Sequence, residues 1–489
     1  MAGLRFAPHN LWPATLLGLA GLLALLARQR RPLGAAIVGG VFGLALFMPS
    51  LWWLFSGVDR SQEPVLALLG PLALIAGLSS LPAAVAALVG AARLPLSLRL
   101  TVLAPALWVS SEWLRHQGAL AFPWLTVGYA QVPDGPLAGF APLLGILGVS
   151  LATMVCAGWL AWAAVARQSR TRVAAVAVVV LVLVAGAAAG RIEWTTPSGK
   201  SVTAALLQGN APMREKFSPE DTARALRTYG ALAARSEAAL VIMPETAFPL
   251  FEHQLPAGFQ RFLEALAWAR QGDMLVSYFR RRAEGTPYDY VSSTRSLGVS
   301  GNQVYDKQHL LPFGEFIPFA RWLRPLYERM AKVRMLDTSP GAPHPGDLVL
   351  AGTRIALRMC YEDVFGNERR EAVAQSQLLV TLVNDSWDGA TAPMDQHLQI
   401  SQARALEAGK PLLRAANTGW TVAIDHHGHV LDALPPQTVA SLITRVEPRT
   451  GSTPYVLAGD ALPMSLVALG LMVCALAETR ARASARAGA

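Results

Sequence analysis

The chain has 489 residues, 53% of them hydrophobic and only 15% charged, with a net charge of +9. That balance excludes a wholly water-soluble fold and predicts membrane spans beside a second domain. The positive charge is no nucleic-acid footprint, because most arginines in short connections are accounted for by membrane orientation, and three cysteines, Cys156, Cys360 and Cys474, give no disulfide framework.

From Leu11 to Ala27 the sequence carries no charge, and Arg28, Arg30 and Arg31 follow at once. At about 1.5 Å per residue this run just crosses a hydrocarbon core. Further apolar runs at about 33–55, 64–91, 101–114, 136–166, 173–190 and 460–477 bring the expected spans to seven. Alternate connections hold eleven arginines (Arg28, Arg30, Arg31, Arg93, Arg99, Arg167, Arg170, Arg172, Arg480, Arg482 and Arg486) against three opposite them, Arg5, Arg60 and Arg115. Basic residues collect on the cytoplasmic side. The chain is therefore expected to comprise a transmembrane bundle of about six helices over 1–190, an external or periplasmic domain over 191–457, a last span over 458–478 and a basic cytoplasmic tail over 479–489. A cleaved signal peptide fits poorly, since most of the positive charge follows the first apolar run.

At Arg191 the composition changes. Short apolar runs at Val202–Leu207, Ala239–Met243, Met274–Phe279, Thr353–Met359, Gln377–Val383, Trp420–Ile424 and Thr438–Val446 read as strands. Helical patterns fall between them at about 219–236, 257–271, 363–375 and 395–409, which predicts an α/β domain with a mixed sheet.

Cys360 is the one cysteine in polar sequence. It ends a strand and precedes a helical pattern, so free N–H groups at a helix start are expected to favour a thiolate or an oxyanion there; the alternative is a buried structural cysteine. Glu245, in ALVIMPETAFP, follows a strand and a proline, where an apolar setting suits a general base toward a thiol. Lys307 and Glu315 lie in YDKQHLLPFGEFIP, too apolar for a solvated face. An ammonium buried there can stabilise an oxyanion, with Glu315 holding it charged or orienting the incoming group.

Together these stretches resemble the nitrilase, or carbon–nitrogen hydrolase, superfamily, and more narrowly its membrane-embedded branch, the apolipoprotein N-acyltransferases. The resemblance is carried by Phe122-Pro123-Trp124-Leu125 with Gly128-Tyr129, by Leu207-Gln208-Gly209-Asn210 and by Pro244-Glu245-Thr246. It continues in Lys307 through Pro318, Cys360-Tyr361-Glu362, Asn384-Asp385-Ser386-Trp387, Gln396-His397 and Ala403-Arg404-Ala405-Leu406-Glu407. It implies an α-β-β-α sandwich beside the helical bundle, with Cys360 as nucleophile, Glu245 as general base, Lys307 as oxyanion stabiliser and Glu315 as a second essential carboxylate. Tyr361, Glu362, Trp387 and Phe316 are expected to face substrate. Where the branch usually has an aromatic residue after Trp387 and Gly-Pro-Trp before the Gln-His pair, this chain has Asp388 and Ala392-Pro393-Met394-Asp395. The branch also carries a span ahead of the segment resembling FAPHNLWP, close to which this sequence starts.

Two further stretches carry expectations. Asp425-His426-His427-Gly428-His429 reads as a hairpin turn and not as a metal site, since adjacent histidines cannot all point at one ion. The run from Phe319 to Gly346 mixes large apolar residues with Arg and Lys, as an arm resting on the membrane interface would. The expected activity is transfer of an acyl chain from a phospholipid, through a Cys360 thioester, to the N-terminal amine of the S-diacylglyceryl-cysteine of an apolipoprotein. The expected enzyme is a monomer of the bacterial inner membrane without cofactor, metal or nucleic-acid partner. The alternative is a membrane-anchored amidase; a permease fits poorly, because no predicted span holds paired ionisable residues and Glu112, the one carboxylate, sits near a span end.

Overall fold

The computed structural model describes residues 6–7, 9–29, 31–56, 64–211, 218–282, 290–330, 338–342, 346–385 and 391–487. The chain forms two compact units, Met1–Ile192 with Ala458–Ala489, and Glu193–Leu457.

In the first unit the apolar runs become α1 (Trp12–Ala27), α2 (Pro32–Ser50), α3 (Pro64–Ala91), α4 (Ala104–Leu114), α5 (Ala141–Val165), α6 (Ser169–Ala189) and a C-terminal helix Ala461–Ala487. Among the described residues, five helices are long and apolar enough to cross a membrane, those over 32–50, 67–91, 136–165, 169–189 and 461–483. α1 is shorter, and the run expected at 101–114 is α4 preceded by a wide π turn, Arg99–Leu103. Without water between apolar helices, close packing drives their association. At Gly39 of α2, an added Cβ would lie 2.3 Å from the Pro82 carbonyl oxygen of α3, so only glycine permits this approach.

Two charged residues at the C-terminal end of α4 are buried. Arg115 lies in the turn that follows α4, yet it is buried and donates to the Trp124 carbonyl at 2.9 Å. Glu112 is equally buried, accepting from Trp108 Nε1 at 3.0 Å and from the Val127 amide at 2.8 Å. Both pin the Phe122–Tyr129 stretch, which explains why polar residues interrupt an apolar run.

The second unit holds β1 (Thr195–Pro197), β2 (Val202–Gln208), β3 (Leu240–Ile242), β4 (Asp273–Arg281), β5 (Tyr290–Gly298), β6 (Val304–Asp306) and β7 (Leu348–Leu350). It continues with β8 (Thr353–Met359), β9 (Leu378–Val383), β10 (Leu412–Ala416), β11 (Thr421–Ile424), β12 (Val430–Leu434), β13 (Ala440–Val446) and β14 (Arg449–Gly451). Its main helices are α7 (Pro219–Arg235), α8 (Ala257–Ala269), α9 (Ala320–Met330), α10 (Arg370–Gln375) and α11 (Ala392–Ala408). One sheet runs β13-β2-β3-β4-β5-β6 and the other β12-β11-β10-β9-β8-β7, while β1 pairs with β14. In each, three central strands are parallel and the flanking ones antiparallel. The sheets bury Leu206, Ile242, Leu275, Leu357, Val380 and Leu413 in a common core. α7 and α8 pack Tyr229 and Leu263 on the outer face of the first sheet, α10 and α11 pack Val373 and Ala405 on that of the second, and the result is an α-β-β-α sandwich. Strands buried on both faces must be apolar throughout, which is why they read as short continuous runs.

The helix expected from 363 begins only at Arg370. Residues Cys360–Val364 form a 3₁₀ turn, stapled by the Glu362 carboxylate on the Met359 amide at 2.7 Å. The expected α-helix start beneath Cys360 is therefore replaced by a tight turn. The Asp425–His429 segment is a turn, with the Asp425 carboxylate accepting the His427 and His429 amides at 2.9 and 2.8 Å. Two of its three histidines converge, however: His426 and His427 both reach Glu193, at 3.1 and 3.0 Å, while His429 stands 3.6 Å from Asp425. Of the expected interfacial arm, α9 is a helix with Trp322 and Leu326 exposed, whereas 331–337 and 343–345 lie outside the described residues.

Candidate active site

Three strand ends supply the chemistry. β3 ends before Pro244 and Glu245, β6 before Lys307, and β8 before Cys360. Polar side chains at such ends sit where the sheets stop burying their own backbone, which is the usual place for a site in an α/β layer. Lys307 is fixed at its backbone by its amide on the Ser292 carbonyl at 2.9 Å and by its carbonyl under the Gly341 amide at 2.7 Å. Its side chain is 2% exposed, and Nζ donates to Glu245 Oε1 at 2.9 Å and to Glu315 Oε1 at 2.8 Å. Glu315 is in turn oriented by the Leu311 amide on Oε2 at 2.7 Å. The expected Glu245, Lys307 and Glu315 thus form one contiguous cluster.

Cys360 completes it electrostatically, its thiol feeling Glu245, Lys307, Asp385 and Glu315. Burial first, then the Glu245 charge, pushes the thiol well above its ordinary value, with Lys307 opposing. Lys307 itself is drawn down by burial but held well above the usual lysine range by Glu245 and Glu315, so it stays an ammonium. Burial raises the Glu315 carboxyl, Lys307 pulls it back, and the Glu245 charge adds to the rise. Three residues of this region, Thr246, Phe313 and Cys360, adopt left-handed φ values of 51°, 60° and 49°. Such backbone costs on the order of 1 kcal/mol per residue, and the surrounding structure must enforce it.

What enforces it at Cys360 is Glu362. Its Oε1 accepts the Gln308 and His309 amides at 2.6 and 3.2 Å, and its Oε2 accepts the Tyr305 hydroxyl and the Met359 amide, both at 2.7 Å. This 3% exposed carboxylate ties the Lys307 segment to the Cys360 turn. Its acceptor capacity is filled from within the chain, which departs from the expected substrate-facing role. Tyr361 is also buried, against His309 and Phe365 at ring separations of 5.8 and 5.4 Å. Phe316 is half-buried, its carbonyl accepting the Phe313 amide at 2.8 Å, and Trp387 lies outside the described residues.

A second polar layer supports the turn. Arg414 donates to the Asp385 carboxylate at 2.5 Å and to Ser401 Oγ at 2.9 Å, while His397 Nδ1 meets the other Asp385 oxygen at 2.9 Å. Arg414 and His397 hold Asp385 below the usual carboxylate range although burial alone would raise it. In the sequence Asp385, His397 and Tyr305 stood out only as parts of longer motifs, and Arg414 lay in none of them. The signal for Arg414 was there, a charge inside the apolar strand LLRAA. Gly366 lies against a further buried pair: an added Cβ would lie 2.1 Å from Arg404 Nη1 and 2.7 Å from Glu407 Oε2.

Comparison with known proteins gives the arrangement a family. Residues 1–159 match the model of the apolipoprotein N-acyltransferase N-terminal domain, and residues 203–455 match that of carbon-nitrogen hydrolases. An apolipoprotein N-acyltransferase of Nitrosomonas europaea is 40% identical over 482 residues, covering 98% of this chain and 95% of that one. One from Ralstonia nicotianae is 37% identical over 502 residues, covering 100% and 92%. A carbon-nitrogen hydrolase from Helicobacter pylori, of known crystal structure, is 18% identical with a TM-score of 0.37 and covers 50% of this chain and 89% of its own. With its apolar helices and bacterial relatives, the protein is a multi-pass bacterial membrane protein. Both parts of the chain, matched over nearly its full length, place it in the apolipoprotein N-acyltransferase family, with a carbon–nitrogen hydrolase domain as its second unit.

Proposed function

We propose that this chain moves an acyl chain from a phospholipid to the N-terminal amine of the S-diacylglyceryl-cysteine of apolipoproteins, with the acyl group resting on Cys360 as a thioester between the two half-reactions. The observation that carries the reading is Lys307, buried and bonded to both Glu245 and Glu315 within electrostatic reach of the Cys360 thiol. A thiol pushed up by burial is protonated at rest and needs a base at the moment of attack. Glu245 takes that proton, and Sγ attacks the ester carbonyl. The oxyanion forms beside the Lys307 ammonium, whose charge the two carboxylates secure. The C–O bond then breaks, and the lysophospholipid leaves with the proton from Glu245. In the second half the amine attacks the thioester, Glu245 takes its proton, and the C–S bond breaks to return the thiol.

On this reading Glu362 is a positioning residue, and Glu315, beside its bond to Lys307, orients the incoming amine of the second half-reaction. Residues 191–457 face the periplasm from the inner membrane, 479–489 lie in the cytoplasm, and the enzyme acts as a monomer without cofactor. Lipid substrates explain why the hydrolase domain belongs to a chain with several apolar helices, which a soluble amide substrate would not require. Product analysis separates transfer from hydrolysis. With a defined phospholipid and a diacylglyceryl peptide, N-acylated peptide should accumulate; free fatty acid as the main product, with unmodified peptide, would support the amidase reading instead.

A further inference from the structure

In the second unit, away from the residues assigned to catalysis, the turn between β11 and β12 and the segment entering β1 form a cluster that acyl transfer does not use. Glu193 meets His426 Nε2 through Oε2 at 3.1 Å and His427 Nε2 through Oε1 at 3.0 Å. The carboxylate and the two imidazole nitrogens all lie within 4.8 Å of one another. Around an ion bound at about 2.0–2.2 Å, tetrahedral donors stand roughly 3.3–3.6 Å apart, so these three atoms need to move little to share one.

The backbone is built to keep them together. Asp425 accepts the amides of His427 and His429 at 2.9 and 2.8 Å, and Gly428 takes a φ of 86° that closes the turn. This brings the adjacent rings of His426 and His427 to the same side, with centroids 4.0 Å apart. The two imidazoles are half-buried and the carboxylate is half-exposed, so an ion can enter from solvent and a water can fill a fourth position. Arg449 Nη2 also donates to Glu193 Oε2 at 2.5 Å, but it is held independently by the Thr195 side chain, on which Nε donates at 2.8 Å. It therefore stays in place when Glu193 turns toward an ion.

We propose that Glu193, His426 and His427 form a site for a borderline transition-metal cation such as Zn²⁺, Co²⁺ or Ni²⁺. Two imidazoles and a carboxylate are the donor set such ions prefer, whereas Mg²⁺ and Ca²⁺ call for oxygen ligands throughout. The bound ion would clamp the segment entering β1 to the β11–β12 turn, joining residues more than 230 positions apart.

The test is a Co²⁺ titration of the tag-free, full-length protein in detergent, followed by visible absorption and by competition with Zn²⁺. One equivalent of Co²⁺ should produce saturable d–d bands that one equivalent of Zn²⁺ removes. Glu193→Gln, His426→Ala and His427→Ala should each weaken binding by about tenfold or more, since even the loss of a group that only supports a ligand costs about that much. Absence of saturable bands, or binding as tight as wild type in all three variants, would overturn the site.

Discussion

Replacing Glu362 by Gln changes one oxygen into a donor and almost nothing in size. The carboxylate accepts from four groups: Tyr305 Oη, Met359 N, Gln308 N and His309 N. A carboxamide can face the two amides at Oε1 with its oxygen, leaving its NH₂ against Tyr305 and Met359. The tyrosine hydroxyl can rotate to accept, but the Met359 amide is a donor only and is stranded in a site 3% exposed. A stranded buried amide costs about 1–3 kcal/mol, and the bonds that remain lose their charge assistance, so the total is about 2–4 kcal/mol. Because the stranded amide is the one before Cys360, the left-handed turn loosens as well. Tyr305→Phe removes one bond and should cost only about 1 kcal/mol. Thermal melting in detergent should rank wild type above Tyr305→Phe above Glu362→Gln, and single-turnover acylation of Cys360 should fall in the same order. A Glu362→Gln protein with wild-type melting temperature and acylation rate would refute the view that this carboxylate holds the site together.

Glu315→Gln should still form acyl-enzyme from phospholipid but release it slowly to peptide, whereas Glu245→Gln should form almost none; trapping under single-turnover conditions reads both, and no acyl-enzyme in Glu315→Gln would assign Glu315 to the first half-reaction. Gly366→Ala drives a methyl group into the buried Arg404–Glu407 pair and should lower the melting temperature by several degrees, a wild-type value counting against the close approach. Lys410, fully buried, donates to the carbonyls of Val373, Ala374 and Ser376, and burial lowers it to about 8. Its folded value lies below its unfolded one, so between pH 8 and roughly 10 the unfolded chain holds the proton the folded chain has lost, and this residue's contribution to stability rises with pH. Melting temperatures of wild type relative to Lys410→Met should therefore climb over that window, and a flat or falling difference would contradict it.

The elements were legible where one physical signal decided them. Uncharged runs gave the apolar helices of the first unit, and continuous apolar segments gave the central strands, Thr353–Met359 matching β8 residue for residue. Lys307 stood out because a charge in an apolar loop demands partners, which are Glu245 and Glu315. Less legible was anything decided by long-range partners. Glu362 looked like a substrate contact because its four donors come from 53 to 57 residues upstream as well as from its own turn. The burial of Arg115 was not legible because its acceptor, the Trp124 carbonyl, is a backbone atom no pattern reports. The helix expected from 363 yielded to a 3₁₀ turn because the Glu362 staple competes with α geometry there. The paired histidines read as a turn alone because the carboxylate they meet, Glu193, lies more than 230 residues away in the chain.

The central claim is a covalent acyl group on Cys360, and an intact-protein mass spectrum tests it most directly. Purified enzyme incubated with a single defined phospholipid should gain the mass of one acyl chain, mapped by peptide analysis to Cys360. The adduct should disappear when diacylglyceryl peptide is added, with the same chain recovered on the peptide amine. Transfer that persists in Cys360→Ala, or turnover with no acyl mass on the wild-type chain under conditions that slow the second step, would contradict it.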